Sequence, residues 1–435
     1  MRLSRLEITN FRNFQHIDIP LSDNVIFVGE NKVGKSNLIH AIRLVLDPSL
    51  PDSQRQLRIE DFWDGLERPL SKDDRIEISI DISDFQEDPK QLALLCEHLI
   101  APEPMVSRLT YVFGPLNAEG DDPLKEGDYS WMIYGSDRTD NIVGSEVRRR
   151  LPMEFLPALR DAEGDLGNWR RSPLRPLLDR AATQTDRATL EQIAQSIGEA
   201  TKAVTETDAV STLSNEINER LTQICGPSQA LDASLGFSPT DTDRLLRALR
   251  IFIDEGKRGI GEASLGSANI LYLTLKLLEI EHLVSDSARD HTFLTIEEPE
   301  AHLHPYMQRL VYRNVLRRRD HQEGAYDDRT TEHRTIILTT HSPHIVSVSP
   351  IESLVALRQA GQTTEVSSAA ALKLEDAERA DLERYLDVSR GEMLFAKGVL
   401  LVEGEAEAYL IPSLASLMGK DLDRLGIIVT PIAGA

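Results

Sequence analysis

GENKVGKS, residues Gly29 to Ser36, fits the P-loop pattern G-x-x-x-x-G-K-[ST] without a departure. Val25, Ile26, Phe27 and Val28 precede it, a short apolar stretch that predicts a buried strand, and Leu38, Ile39, Ile42, Leu44 and Val45 follow at helical spacing. The order is strand, glycine loop, helix. It matters because successive N–H groups of such a loop form an anion nest at a helix N-terminus, where the dipole also favours phosphate. The candidate nucleotide-binding residues are therefore Gly29, Glu30, Asn31, Lys32, Val33, Gly34, Lys35, Ser36 and Asn37. Gly29 and Gly34 permit the tight turn, Lys35 is a point charge for the β and γ phosphates of ATP, and the Ser36 hydroxyl is placed to ligate Mg²⁺.

Composition bounds the rest. At 435 residues the chain has room for two to three domains. Its two cysteines, Cys96 and Cys225, form no CxxC, which argues for a reduced compartment, hence a cytoplasmic protein, and against a structural zinc site. MRLSRLEITNF alternates like a strand and lacks an apolar signal core, and no run approaches the roughly 20 apolar residues of a membrane span, so no membrane role is expected. The net charge of −23 disfavours diffuse attraction to nucleic acid, so DNA would have to be held by local basic patches. Arg148, Arg149 and Arg150 form one candidate, and Arg317, Arg318 and Arg319 at the end of a helix form another. Basic residues also favour helix C-termini through the dipole, and both readings stand.

LSRLEITNF and QHIDIPL predict two strands with FRNF, residues 11 to 14, at the turn between them. LEITNFRNFQHIDIPLSDNVIFVGENKVGKSNLIHAIRLVLD resembles the opening of the ATPase heads of the SMC, RecF and OLD families. Arg12 and Asn13 lie where those families approach nucleotide, and a solvent-facing hairpin turn is the alternative. RIEISIDISDF, residues 75 to 85, alternates Ile76, Ile78, Ile80 and Ile82 with polar partners and predicts a half-buried antiparallel strand. A short helix near Leu92 to Leu99 and strands at 107 to 113 and 129 to 135 complete a β-rich lobe. Gln86 is either the Q-loop glutamine of such heads or a solvated loop residue.

Prolines and arginines break the periodicity over residues 153 to 178, and a boundary is placed near 165. Leu190, Ile193, Ile197 and Val204 follow helical spacing, and Val210, Leu213, Ile217, Leu221 and Ile224 follow an a/d sequence, predicting a helical hairpin. Seams of about two heptads suit a dimer contact or packing within the chain, and are too short for a long coiled-coil arm.

Nucleotide chemistry returns in the second half. SLGS, residues 264 to 267, stands before a strongly apolar helix. In ABC-type heads a Ser-x-Gly turn here caps the γ-phosphate of ATP on the opposite subunit, a role that Ser264 and Gly266 match loosely; Ser and Gly also make ordinary N-caps. In HTFLTIEEPEAHLHP, residues 291 to 305, a buried strand delivers two carboxylates at its end, where open α/β sheets place ligand chemistry. Glu297 would hold Mg²⁺, where many heads use Asp, and Glu298 would polarise the attacking water as general base. This EEPE form resembles RecF-like and OLD-family heads. His302 and His304 are read as structural residues of a turn, since i, i+2 spacing suits a metal pair poorly. RTIILTTHSPHIVS, residues 334 to 347, predicts another buried strand, ending at His341, which resembles the switch histidine that senses the γ-phosphate or the attacking water.

GQTTEVSSAA, residues 361 to 370, reads as a linker, and residues 373 to 397 as helices. Val399 to Val402 predict a strand with Glu403 at its end and Glu407 on the next helix, which looks like the first strand and helix of a Toprim domain. In that family the glutamate joins a D-x-D pair from a later strand to bind Mg²⁺. LGIIVTPIAGA, residues 425 to 435, would be only the second strand, and Asp421 and Asp423 read as a helix-end pair.

Together these motifs resemble OLD-family ATP-dependent endonucleases, the class associated with bacterial antiphage systems such as Gabija. The resemblance implies an α/β fold: an ABC-type P-loop ATPase head with a helical dimerisation insert and the start of a Toprim domain. The expected divisions are residues 1–164, 165–230, 231–390 and 391–435. It implies ATP and Mg²⁺ as cofactors, Ser36, Glu297, Glu403 and Glu407 as metal-ligating residues, and Glu298 and His341 as catalytic ones. The implied partners are DNA, a second copy in a homodimer or higher homo-oligomer, and a helicase-like or other defence-system protein. The rival readings are a RecF- or SMC-like DNA-repair ATPase without a nuclease and a scaffold in which nucleotide is structural. Two-metal cleavage needs carboxylates from separate strands holding ions about 4 Å apart, so residues 1–435 alone are expected to leave DNA uncut.

Overall fold

The computed structural model describes residues 1–116, 125–158, 160–225, 245, 247–316 and 333–432. They fall into two compact units, Met1–Arg160 with Leu283–Ala435, and Asp161–His282.

In the first unit, β1 (Arg2–Phe11) and β2 (Phe14–Pro20) form the hairpin around FRNF, with Phe11 opposite Phe14. β3 (Val25–Gly29), buried throughout, leads into the P-loop, and the helix Lys35–Leu46 leads out of it. β4 (Ile76–Ser83), β5 (Leu99–Pro102), β6 (Met105–Gly114) and β7 (Ser130–Gly135) extend the hairpin into an antiparallel sheet, ordered β2-β1-β4-β6-β5 with β7 also on β6. A short strand, β8 (Met153–Leu156), follows. In the second unit β9 (Phe252–Ile253) pairs with β10 (Arg258–Gly259). Back in the first unit, β11 (Thr292–Glu297), β12 (Arg334–Thr340), β13 (Leu354–Ala360) and β14 (Thr363–Ser368) build a second sheet, ordered β14-β13-β3-β12-β11-β8. All its pairings are parallel except that of β13 with β14. Finally β15 (Gly398–Val402) and β16 (Ile427–Pro431) make a parallel pair flanking the helix Glu405–Leu417 in sequence.

The P-loop helix lies in the middle of the core. Leu38, Ile39, Ala41, Ile42, Leu44, Val45 and Leu46 are all buried, in one cluster with Ile78, Ile80 and Tyr111 of the antiparallel sheet and Phe27, Ile337 and Val355 of the parallel one. A helix covered by two sheets buries a wide arc, and the polar residues Ser36, His40 and Arg43 are confined to the narrow face that remains. The Arg55 guanidinium, itself fully buried, donates to the carbonyls of Leu44 and Asp47 at the end of this helix, and the Tyr111 hydroxyl donates to the Arg55 carbonyl at 2.5 Å. These are carbonyls that a helix terminus leaves without an intrahelical partner.

Four expectations need correcting. β4 is half-buried only over its first residues; Ile80 to Ser83 are covered on both faces, and Asp81 tolerates this because Arg108 grips it with two bonds of 2.6 and 2.9 Å. The helix expected through Leu99 ends at Leu95, a 3-10 turn covers Cys96–His98, and Leu99 opens β5. MEFL, read as a break in periodicity, is the strand β8 at the edge of the parallel sheet, too short to show a period. GQTTEVSSAA is no linker: residues 363 to 368 are β14, hydrogen-bonded along the whole of β13. Its alternation of small polar residues hid a strand because the side chains buried there are hydroxyls with partners.

The basic cluster at 148 to 150 ends the helix Ser145–Arg150. Arg150 is committed to Asp290 at 2.5 Å and to the Ser287 carbonyl at 2.6 Å, Arg148 is half-buried, and only Arg149 is exposed. Structural bonding thus outweighs the DNA reading for this cluster. Arg317, Arg318 and Arg319 lie outside the described residues. The second unit contains the helices Leu174–Gln184, Arg187–Thr205 and Asp208–Cys225. Ile193 and Leu213 on the last two are 46% and 49% exposed.

Replacing Arg55 with Met keeps the bulk and removes the donors to two helix-end carbonyls, of which Asp47 retains only the Leu50 N–H at 3.4 Å. Urea unfolding should show a loss of about 2–4 kcal/mol.

Candidate nucleotide site

Parallel register decides which residues meet. β12 lies between β3 and β11, with Thr340 opposite Val28 and Thr339 opposite Glu297. The P-loop, the EEPE turn and His341 all leave the sheet at the carboxyl ends of these three neighbouring strands, the edge where open α/β sheets bind ligands.

The loop is shaped by close approach. Gly34 has φ 103°, and a Cβ there would stand 2.1 Å from the Asn13 amide nitrogen; a Cβ on Gly29, at φ 148°, would stand 2.5 Å from the Leu357 carbonyl oxygen. Only glycine fits either place. Asn13 donates to the Val33 carbonyl at 2.9 Å and to the Thr364 hydroxyl at 2.7 Å, and accepts from the Asn37 amide at 2.6 Å. The Thr364 hydroxyl in turn donates to the Val33 carbonyl at 2.9 Å. Arg12 pairs with Asp61 at 2.9 Å and donates to the Asn37 side-chain oxygen at 2.9 Å. FRNF is therefore a clamp on the P-loop and its helix rather than a free hairpin turn. Thr364, on the strand read as a linker, was not singled out in the sequence, since nothing local marks a threonine 330 positions away as a loop contact.

Lys35 is buried, and its ammonium donates to the Gly29 and Glu30 carbonyls at 2.9 and 2.8 Å. Burial lowers its pKa to about 8, against the opposing pull of Glu298 and Glu300. His341 Nδ1 stands 3.5 Å from this ammonium, and His341 Nε2 stands 3.7 Å from Glu298 Oε1. Burial and the Lys35 charge hold the imidazole below its ordinary pKa, with Glu298 opposing. An ammonium has only donors to offer, so the Nδ1 lone pair faces Lys35 and the ring proton sits on Nε2, toward Glu298. Glu298 is exposed and has φ 42°, a backbone setting that non-glycine residues seldom adopt, and its N–H donates to the Thr339 carbonyl at 2.9 Å. Such strain collects at functional sites, where it re-aims a side chain.

These residues fit ATP and Mg²⁺. The cradle is one a Cβ would fill, the first-turn N–H groups of the P-loop helix are open to an anion, and the exposed Ser36 hydroxyl and the half-buried Glu297 carboxylate are hard oxygen donors suited to Mg²⁺.

Glu300 was missed by the sequence reading except as a letter of EEPE. One carboxylate oxygen accepts from the His341 N–H at 2.6 Å and the other from the Thr340 hydroxyl at 2.9 Å. On its other side the His341 ring lies 6.4 Å, centroid to centroid, from the Phe395 ring. Phe395 belongs to the 3-10 turn Glu392–Phe395 that leads into β15, and Leu394, Ala396 and Lys397 line a cavity with Glu30, Leu357 and Arg358.

Ser264 and Gly266 belong to the second unit, where the Ser264 hydroxyl caps the helix Leu265–Ser285 by accepting from the Ser267 N–H at 3.2 Å. Glu403 is exposed at the end of β15, and the Glu407 carboxylate accepts from the Gly404 N–H at 3.0 Å. Asp421 caps a short helix, as read. Gln86 is exposed in a turn after β4. His302 has φ 65° in the turn after EEPE, and His304 accepts from the Tyr306 N–H at 3.3 Å. Among the described residues no three His, Cys, Asp or Glu side chains converge as a metal cage, and no helix is long and apolar enough to cross a membrane.

Residues 25–347 match the family model described as "AAA domain, putative AbiEii toxin, Type IV TA system". Residues 394–435 match "Overcoming lysogenization defect protein-like, TOPRIM domain". The chain is 26% identical to the OLD nuclease of Thermus scotoductus over 450 residues, covering 99% of this chain and 77% of that one. It is 22% identical to the Old nuclease of Escherichia phage P2, over 100% of this chain and 73% of that one, and 21% identical to endonuclease GajA of Bacillus cereus, over 100% and 71%.

Thr364→Val removes the buried hydroxyl that joins Asn13 to the Val33 carbonyl without changing side-chain shape. Losing those bonds should loosen the loop and weaken binding of a fluorescent ATP analogue by roughly 5- to 10-fold, the scale of about 1 kcal/mol. An unchanged Kd would mean that Thr364 does not hold the loop.

Proposed function

The chain belongs to the OLD family, as an ABC-type ATPase head followed by a Toprim segment, and from that premise we propose that it binds and hydrolyses ATP to control cleavage of DNA, in bacterial antiphage defence. The observation that carries the proposal is the His341 imidazole standing between the Lys35 ammonium and the Glu298 carboxylate, at 3.5 and 3.7 Å.

Each group then has one task. The loop N–H groups and Lys35 hold the phosphates, and the dry setting of the lysine strengthens its field. Ser36 and Glu297 would hold Mg²⁺, which when bound neutralises charge on the transferring phosphoryl group. Glu298 orients the attacking water and takes up its proton. His341, neutral with a proton on Nε2, donates toward the γ-phosphate or the water and so reports which nucleotide is present. Phe395 supports the step from ATP to nuclease: a histidine that moves with the γ-phosphate pushes on a ring three residues before β15, and Glu403 stands at the far end of β15. Glu403 and Glu407 would supply part of the nuclease metal shell.

Ser264 and Gly266 would act on nucleotide held by a second copy, and the exposed Ile193 and Leu213 suit a contact between copies. A RecF- or SMC-like repair ATPase without its own nuclease is disfavoured by the Toprim match.

Phosphate release by the purified chain tests the central claim. Lys35→Ala should abolish ATP binding by calorimetry, and Glu298→Gln should keep binding while slowing turnover by about 100-fold or more. Native turnover in Glu298→Gln would remove the general-base role. Control of the Toprim segment predicts that a non-hydrolysable ATP analogue changes amide exchange over residues 392–402 and that Phe395→Ala suppresses the change while ATP still binds. Light scattering at micromolar concentration should give a dimer without ATP, and a monomer would remove the helical hairpin as a contact between copies.

A further inference from the structure

The ATPase proposal leaves unexplained why a carboxylate is spent beneath the switch histidine, contacting neither the phosphate cradle nor the solvent edge where Glu298 stands. Glu300 lies three residues past the end of β11, after Pro299, and its side chain turns back across the end of β12. Its two oxygens accept from two successive residues there, the Thr340 hydroxyl at 2.9 Å and the His341 N–H at 2.6 Å. The Thr340 hydroxyl, with its proton given to Glu300, accepts the Ser342 N–H at 2.9 Å. Ser342 donates to the Gln308 side-chain oxygen at 2.5 Å and accepts the His344 N–H at 3.2 Å, and the Gln308 amide donates to the Leu303 carbonyl at 2.8 Å. Glu300 is the carboxylate end of this series; burial raises its pKa, and the bonds from His341 and Thr340 oppose that by favouring the ionised form.

We infer that Glu300 is a positioning residue for ATP turnover: it fixes the backbone at Thr340 and His341 so that the imidazole stands between Lys35 and Glu298. The inference rests on the hydrolytic reading above. The geometry requires an acceptor at both oxygens, because a strand end has no further ladder partner to take the His341 N–H, and a 1 Å drift of the imidazole would carry it out of reach of Lys35 and the phosphate site together. Charge-assisted bonds of this length are stronger than neutral ones and hold geometry accordingly. Glutamine in the same place offers one acceptor and one donor, so its oxygen can keep the His341 N–H only if the Thr340 contact reverses direction and loses its charge. Alanine breaks both.

The full 435-residue chain tests this as a double-mutant cycle with Glu300→Ala, Glu300→Gln, His341→Ala and the Glu300→Ala/His341→Ala double variant. The readouts are Kd for a fluorescent ATP analogue, kcat and KM for phosphate release, and Tm. Glu300→Ala should keep Kd and KM within about 3-fold of native and lower kcat by roughly 30-fold, close to the loss in His341→Ala. Glu300→Gln should lose less, about 5-fold, since one acceptor survives. Because Glu300 acts through His341, the double variant should fall no more than about 3-fold below the slower single one. Losses that multiply in the double variant, with His341→Ala itself slow, would overturn the role of Glu300 and leave the hydrolytic reading standing. A Kd that weakens in step with kcat would likewise overturn it, as a loss of binding rather than of positioning. Native turnover in His341→Ala, or no phosphate release by the native chain, would sink the hydrolytic reading and this inference together. Should Glu300→Ala fail to fold, Glu300→Gln, which keeps the shape, carries the same cycle.

Discussion

The parallel pairing of β3, β12 and β11 is the constraint on which the site depends. A parallel strand cannot be reached by a tight turn, so each of the three is followed by a long excursion of chain before the next begins. All three therefore release their chain at the same edge, and the residues just past their ends meet there although Lys35 and His341 lie 306 positions apart in sequence: Lys35 from the loop after β3, Glu298 after β11, His341 after β12. The antiparallel sheet contributes no catalytic candidate. Its part is to close the other side of the P-loop helix, which is why that helix buries a wide arc.

Holding the loop is a separate problem from building the edge. A glycine loop has many accessible conformations, and fixing one of them costs about 1–2 kcal/mol per residue in backbone entropy. Here the carbonyl of Val33 is held by Asn13 and Thr364, from the hairpin turn and from β14. The same Asn13 amide crowds Gly34 so closely that no side chain fits. At Gly34 the nearness of Asn13 and a φ of 103° both call for glycine, while at Gly29 the Leu357 carbonyl does so.

His341 is the point at which the ATPase residues and the beginning of the Toprim segment touch. It has Lys35 and Glu298 near its ring nitrogens, Glu300 at its backbone and the tilted Phe395 ring 6.4 Å away, centroid to centroid. A neutral imidazole with neighbours near both ring nitrogens suits the proposed role of sensing phosphate without being trapped as a fixed ion pair.

Much of this was legible in the sequence for a physical reason. Motifs whose chemistry depends on neighbours in the chain can be read from the chain: GENKVGKS between an apolar strand and a helix, EEPE and TTH at the ends of buried strands, Val399 to Glu403 before a helix. Alternation placed β1, β2 and β4, and continuous apolar runs placed β11 and β12, which are buried on both faces. Periodicity failed where burial was of another kind. MEFL is four residues long, and TTEVSS buries hydroxyls that are satisfied by partners, so neither carries the apolar signal of a strand. For Arg148 to Arg150 two readings stayed open because sequence shows charge and not its partner, and Asp290 is 140 positions from Arg150. Only the tertiary structure could turn Asn13, Thr364, Glu300 and Phe395 into parts of the site, because what each does is set by the atom it touches, and that atom comes from another strand.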